Sequence, residues 1–137
     1  MNIRQTKLGD YTGIYNLLKS EGMIHISLPK DKFSRMLKKN KGLYFVAVEK
    51  KRIIGNVFAS YDGGMYVYVY KLAVDKNYRR KGAAKKLLAK ILNKFKNNRE
   101  TRIYCCIRKE NNASIGLFTK LKFAERKDLY FFDNSQK

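Results

Sequence analysis

The chain of 137 residues is 45% hydrophobic and 13% aromatic. That composition supplies one packed core, so it predicts a single domain over residues 1–137 and excludes a disordered tail. Lys and Arg number 31 against 11 Asp and Glu, which gives a formal net charge of +20. Such an excess favours anionic partners, among them a polyphosphate cofactor, an acidic substrate, nucleic acid or an anionic membrane surface.

Two features of the sequence bear on cellular location. No run of about 18 consecutive apolar residues occurs, so no membrane span is predicted. Cys105 and Cys106 are adjacent in a predicted strand, where successive side chains point to opposite faces and cannot bridge each other. A reduced, cytoplasmic setting is therefore expected, and no metal site is predicted.

Hydrophobic periodicity and turn residues predict an α/β (α+β) fold. Tight links between the strands of residues 43–74 indicate an antiparallel meander, and the helix between two later strands suggests that those two pair in parallel. Helices are predicted after Asp10, after Pro29, after Gly82 and from Asn111. The predicted strands are 2–6, 43–49, 52–61, 65–74, 102–107 and 123–132.

The most informative stretch covers residues 72–88. It reads as a buried strand that ends at Val74, a basic turn over Arg79–Lys81, and a helix entered through Gly82. The first N–H groups of a helix lack intrahelical partners and lie at the positive end of its dipole, so a helix start behind small residues binds anions. The basic turn alone is also consistent with a solvated surface turn. In this context it implies a phosphate-bearing ligand.

Two segments resemble the GCN5-related N-acetyltransferase superfamily. Residues 79–84, Arg-Arg-Lys-Gly-Ala-Ala, match its cofactor motif Gln/Arg-x-x-Gly-x-Gly/Ala. Residues 111–123, Asn-Asn-Ala-Ser-Ile-Gly-Leu-Phe-Thr-Lys-Leu-Lys-Phe, match its segment Asn-x-x-Ala/Ser-x-x-Leu-Tyr-x-Lys-Leu-Gly-Phe. The resemblance implies a mixed, mostly antiparallel central sheet of six to seven strands, flanked by about four helices.

The resemblance also implies acetyl-CoA as the cofactor. Backbone amides of residues 80–84 would hold its pyrophosphate, and the pantetheine arm would run beside residues 72–74, where that strand parts from the one around Cys106. The cofactor-binding residues implied in this way are Leu72, Ala73, Val74, Arg79, Arg80, Lys81, Gly82, Ala83, Ala84, Lys85, Asn111, Ser114 and Phe118.

For catalysis, a backbone N–H of Leu72 or Ala73 is expected to stabilise the oxyanion. The attacking amine must be neutral, so a base is needed. The family often places a carboxylate on the strand that corresponds to residues 65–74, but this strand offers tyrosines, among them Tyr68. Glu21 and His25, in the link between the first two helices, are the other candidate bases.

Two positions depart from the family pattern. Phe118 stands where the family commonly has the tyrosine that protonates the departing CoA thiolate. Three explanations are open: a slower enzyme, replacement of the acid by Tyr104 or Tyr130, or a fold that binds CoA without transfer. Lys122 replaces a glycine at a helix end that favours a left-handed residue, which costs about 1 kcal/mol or changes how the helix ends.

The predicted function is an acetyl-CoA-dependent N-acetyltransferase that acts on a primary amine of a small molecule or a peptide by direct attack in a ternary complex. A basic nucleic-acid-binding module and a catalytically weak CoA-binding protein are the alternatives. The net charge favours a small or negatively charged acceptor over polyamines and lysine-rich peptides. The sequence does not distinguish a monomer from a homodimer.

Overall fold

The computed structural model describes residues 1–24 and 27–135. The chain forms two compact units, Met1–Cys106 and Ile107–Lys137. The second unit contains one helix, α4 (Asn112–Lys120). In chain order the strands and helices of the first unit are β1 (Asn2–Gln5), α1 (Tyr11–Ser20), α2 (Lys30–Lys39), β2 (Tyr44–Glu49), β3 (Arg52–Tyr61), β4 (Tyr66–Val74), α3 (Ala83–Lys94) and β5 (Arg102–Tyr104).

The five strands form one sheet in the order β1-β2-β3-β4-β5. β1 to β4 pair antiparallel with their neighbours, and β4 pairs with β5 in parallel. The α/β class, the meander, the parallel last pair and the four helices are confirmed. β2, β3 and β4 lie side by side because their short links favour pairing with the next strand, whereas helices connect β1 to β2 and β4 to β5.

The predicted number of six to seven strands is wrong for the described residues, which contain five. Residues 123–135 include no strand. The segment 129–132 is four consecutive apolar residues whose side chains are 62–91% exposed, without the alternation of a half-buried strand. Its apolar content favoured a strand prediction, but content without period does not specify one.

Helices cover both faces of the sheet. On one face, the ring of Phe33 in α2 lies 6.3 Å from that of Phe58 in β3. On the other, a Cβ built on Gly55 of β3 would lie 3.0 Å from Leu87 Cδ1 of α3, so any side chain there would force the neighbouring leucine to shift. The apolar core thus forms two layers, one on each face of the sheet. After β4 the chain leads into α3, which covers the second face.

The link between β2 and β3 is the predicted two-residue hairpin. Glu49 and Arg52 form its last pair, and both Lys50 (φ 49) and Lys51 (φ 64) adopt the left-handed conformation of a type I′ turn. Gly22 (φ 68) ends α1 as predicted, since Met23 N donates to Leu18 O at 2.8 Å. Within the described part of the chain, no helix has the length and apolar character to cross a bilayer.

Candidate active site

The parallel pair β4–β5 is short and leaves one edge of β4 open. β5 pairs only with residues 66–68 of β4, ending at Tyr68 opposite Tyr104. From residue 69 to Val74, β4 keeps β3 on one side and has no strand partner on the other among the described residues. Unpaired strand N–H and C=O groups are a ready template for an extended ligand. The predicted pantetheine-binding residues 72–74 lie on this open edge.

A β-bulge shapes the open edge. The β3–β4 register passes from Asn56 opposite Ala73 to Phe58 opposite Tyr70, so two β4 residues, Lys71 and Leu72, oppose a single β3 residue. Lys71 adopts the left-handed conformation with φ 52. The backbone direction therefore changes at Leu72 and Ala73, the residues predicted to supply the oxyanion-stabilising N–H.

Asn56 holds this bulge in place and was missed by the sequence analysis. Its side chain is fully buried, and its Nδ2 donates to the Lys71 carbonyl at 3.0 Å. The carbonyl that the bulge removes from the strand ladder is thus satisfied, as a buried carbonyl must be. The available signal was a lone amide within the apolar run of residues 53–59.

The bulge is also connected to the link between α1 and α2. Lys71 Nζ donates to the backbone carbonyl of Met23 at 2.7 Å. This contact places Met23, near the start of the α1–α2 link, beside the bulge. His25 belongs to the same link, but it lies outside the described residues.

The loop before α3 has the conformation of an anion site. Arg80 (φ 65) and Gly82 (φ 80) are both left-handed, and Gly82 is the N-cap of α3. The first turn of α3 contains no acidic residue, so no carboxylate neutralises its positive end, and Lys85 adds further positive charge. A Cβ built on Gly82 would meet no atom within 4 Å. The helix start therefore opens into free space lined by donors and cations, which fits a pyrophosphate.

The predicted cationic residues differ in availability. Arg80, Lys81 and Lys85 are exposed. Arg79 instead forms an ion pair with Glu21, and its Nε donates to the Val74 carbonyl at 3.2 Å. Ala83 is buried and Ala84 half-buried, so these two residues serve the helix start through their backbone amides.

The Arg79–Glu21 ion pair joins two residues that the sequence assigned to separate roles. Glu21 is 12% exposed and follows α1 directly, whereas Arg79 lies in the loop after β4. A carboxylate that accepts from a guanidinium is less available to accept a proton from an amine. One of the two Glu21 carboxylate oxygens, Oε1, is thus engaged by Arg79.

Tyr68 is better suited to donate a hydrogen bond or a proton than to act as a base. Burial, with smaller contributions from Cys106 and Tyr104, raises the pKa of Tyr68 above its ordinary value of 10. A phenol with a raised pKa stays protonated at neutral pH, so it can donate a hydrogen bond or a proton. It is a poor acceptor of the amine proton.

In the second unit, the predicted residues stabilise the ends of α4. Asn111 Oδ1 accepts from Ser114 N at 3.1 Å and caps the helix start. At the other end Lys122 is left-handed (φ 70), and Phe123 N donates to Phe118 O at 3.0 Å in a Schellman motif. The rings of Phe118 and Phe123 pack edge to face at 5.0 Å. Phe118 is thus buried in the helix end, as an apolar residue prefers.

Comparison with known proteins agrees with this arrangement. Residues 11–123 match the family model described as the acetyltransferase (GNAT) family. The chain is 27% identical over 124 residues to an acetyltransferase of Pectobacterium atrosepticum, covering 90% of this chain and 87% of that protein. It is 30% identical to an acetyltransferase of Yersinia pseudotuberculosis over 69% of this chain and 67% of that protein.

Solved structures share the fold. Ard1 from Thermoplasma volcanium superposes with a TM-score of 0.78 at 16% identity, covering 90% of this chain and 82% of that one. The structure thus defines an α/β protein with an open strand edge beside an unobstructed helix start. The family match over most of the chain is more specific: the protein belongs to the GNAT acetyltransferase family.

Proposed function

We propose that the protein is a cytoplasmic, acetyl-CoA-dependent N-acetyltransferase that acetylates a primary amine by direct attack in a ternary complex. The observation that carries the proposal is the open edge of β4 leading into the uncapped start of α3, with free space around Gly82. An extended arm along the edge and a pyrophosphate at the helix start would use both features at once. Two free cysteines support a reducing compartment.

The described residues fit acetyl-CoA in a specific way. Amides of residues 80–84 would bind the pyrophosphate, with the exposed Arg80, Lys81 and Lys85 adding charge. Residues 72–74 would hydrogen-bond the pantetheine arm. When bound, acetyl-CoA supplies an acetyl group activated as a thioester. Asn111, Ser114 and Phe118 remain candidate contacts through the second family segment.

The chain's own groups then position and deprotonate the amine. A backbone N–H at Leu72 or Ala73, fixed by the bulge and by Asn56, would donate to the carbonyl oxygen as negative charge develops there. Glu21, released from Arg79, and His25 are the candidate acceptors of the amine proton. Tyr68, held protonated, is better placed in the role of donor.

A catalytically weak CoA-binding protein is the second candidate, and one observation favours it. Phe118 is buried against Phe123 and carries no proton to give to a thiolate. A nucleic-acid-binding module is less well supported, because the similarity to acetyltransferases extends along most of the chain.

The proposal is tested by measuring free-thiol release from acetyl-CoA with a panel of primary amines, while mass spectrometry detects the acetylated product. Amine-dependent thiol release with a matching product is expected. Acetyl-CoA binding without transfer to any amine would favour the weak CoA-binding protein. Steeply salt-dependent RNA binding that does not change when acetyl-CoA is added would contradict both the acetyltransferase and the CoA-binding protein.

A further inference from the structure

Four tyrosines form a continuous row across β4 and β5. The tyrosine row consists of Tyr66, Tyr68 and Tyr70, at alternate positions of β4, and Tyr104 of β5. The Tyr68 ring lies 5.1 Å from Tyr70, with an interplanar angle of 4°, and 5.1 Å from Tyr104, with an angle of 27°. Tyr66 meets Tyr104 edge to face at 6.1 Å. These distances are those of favourable aromatic pairs.

The two ends of the row have different surroundings. At the inner end, Tyr70 shares a 2.9 Å hydrogen bond with the Tyr44 hydroxyl and packs against Phe58 at 5.5 Å, so it belongs to the core. At the outer end, Tyr66 and Tyr104 are each 46% exposed. Core packing accounts for the inner ring and leaves the outer rings available to a ligand.

A cation lies beside the outer end. The register pairs Tyr66 with Arg102 and Tyr68 with Tyr104, so Arg102 projects from the same face of the sheet as the row. Arg102 is exposed and forms no ion pair with any residue in the described ranges. An exposed guanidinium next to exposed rings favours a ligand that has both a ring and an anionic group.

The position of the row sets the length of that ligand. Tyr68 is the last β4 residue before β5 departs, and Leu72 is four residues further along β4. Because the bulge takes up one of these four steps, Tyr68 and its neighbour Tyr104 lie roughly 10 Å from the expected acyl position, at about 3.3 Å per strand residue. A compact amine cannot reach both places. An extended peptide spans that distance with about four residues.

The weakness of the available bases favours the same class of acceptor. Within the described ranges, Glu21 is engaged by Arg79 and Tyr68 is held as a phenol. A peptide α-amine has a pKa of about 7.7–8.0, whereas a lysine amine has one near 10.4. A much larger fraction of the α-amine is therefore neutral near pH 8, so it needs less help from a base.

We propose that the acceptor is the α-amine of an extended peptide that places an aromatic ring about four residues from its N-terminus on the tyrosine row and an acidic group on Arg102. This inference rests on the proposed function and names its substrate class. The net charge of +20 agrees with an acidic rather than a basic peptide.

The test uses five-residue peptides with free α-amines, in which one phenylalanine moves from position 2 to position 5 and one glutamate is present or absent. Both kcat/KM and the binding of each peptide to the CoA-loaded protein, by calorimetry, are measured. The ring at position 4 should improve both about fivefold over its alanine equivalent. Tyr104→Ala should remove that preference, and Tyr104→Phe should retain it.

Charge and position have their own controls. Arg102→Gln should remove the advantage of the glutamate, two- to fivefold, while Arg99→Gln, which changes the net charge equally, should preserve it. Tyr66→Ala provides a second test of the ring contact should Tyr104→Ala melt at a lower temperature. An N-terminally blocked lysine peptide or spermidine preferred as acceptor would overturn the inference.

The outcomes separate this inference from the function on which it rests. Acetylation of small amines, with no peptide acetylated or with no dependence on the ring, overturns the peptide acceptor alone. Absence of acetyl-CoA binding together with absence of transfer overturns the proposed function as well.

Discussion

The two halves of β4 contribute to the site in different ways. Its C-terminal half, from residue 69 to Val74, presents an open backbone edge that leads to the helix start at Gly82. Its N-terminal half presents the tyrosine row, in which side chains from two strands stack on each other. The C-terminal half offers backbone groups, which suits a cofactor that all members of a family share. The N-terminal half offers side chains, which suits an acceptor that differs among those members.

The largest effect on activity is expected from Asn56, whose side chain holds the backbone of the C-terminal half of β4 in place. Asn56→Leu removes the hydrogen bond to the Lys71 carbonyl and frees the bulge to relax. We expect kcat to fall on the order of 10- to 100-fold with acetyl-CoA affinity much less affected, because displaced oxyanion donors weaken mainly the transition state.

Thr6→Val is the matched control for Asn56→Leu. Thr6 Oγ1 is, like Asn56 Oδ1, a buried polar atom without a hydrogen-bond partner among the described residues. It lies beside β2, where the Thr6 backbone N–H donates to Tyr44 O at 2.9 Å. Steady-state kinetics of both variants tests whether the bulge held by Asn56 positions the oxyanion donor. A kcat within twofold of wild type for Asn56→Leu would show that the bulge does not position the donor.

A second prediction concerns the missing acid. Phe118→Tyr restores a hydroxyl at the family's tyrosine position, and we expect turnover at saturating acetyl-CoA to rise about tenfold if no other group protonates the thiolate. Single-turnover and steady-state rates measure the change. Unchanged or lower turnover would count against a simple loss of the acid.

A third, smaller effect is expected at the ion pair that joins the α1 end to the cofactor loop. Glu21→Gln frees Arg79, so acetyl-CoA should bind two- to fivefold more tightly at low salt, the range of a partly exposed ion pair. Glu100→Gln alters the net charge equally but is exposed beyond the C-terminal end of α3, opposite the helix start, and should leave affinity unchanged. Equal affinities for the wild type and Glu21→Gln in calorimetry would mean that Arg79 does not contact the cofactor.

The smallest expected effect tests backbone conformation alone. Lys122→Gly relieves the left-handed strain at the end of α4 and should raise the free energy of unfolding by about 0.5–1 kcal/mol. Lys120→Gly, inside the last turn of α4, should lower it by about 1 kcal/mol. Urea denaturation measures both changes. A destabilised Lys122→Gly variant would contradict the Schellman geometry.

The sequence predicted the backbone half of the site because conformation restricts residue type. Only glycine adopts the left-handed conformation at the N-cap of α3 without a steric cost. Gly82, shortly after the strand ending at Val74, therefore predicted a turn at this position. The meander was equally accessible, since links of two and four residues leave these strands little choice of neighbour. The number of strands was not, because residues 129–132 are apolar without being periodic.

The contacts between distant residues could not be read from the sequence. Arg79 and Glu21 are separated by 58 positions, and neither residue type predicts the other as its partner. The Asn56 contact to Lys71 and the stack of Tyr68 on Tyr104 arise only once three strands have aligned. These side-chain contacts therefore emerge only with the fold, whereas the glycine turn before α3 could be predicted from the sequence.

The most direct test of the central claim is calorimetric titration of acetyl-CoA into the wild type, Gly82→Trp and Gly63→Trp. Both glycines are left-handed, with φ 80 and 88, and both face open space, so the two variants carry the same backbone strain. We expect Gly82→Trp to weaken acetyl-CoA binding by at least about tenfold, or 1.4 kcal/mol. Gly63→Trp, in the β3–β4 turn, should bind acetyl-CoA as the wild type does. Equal affinity for Gly82→Trp and wild type would contradict the assignment of the α3 start as the pyrophosphate site.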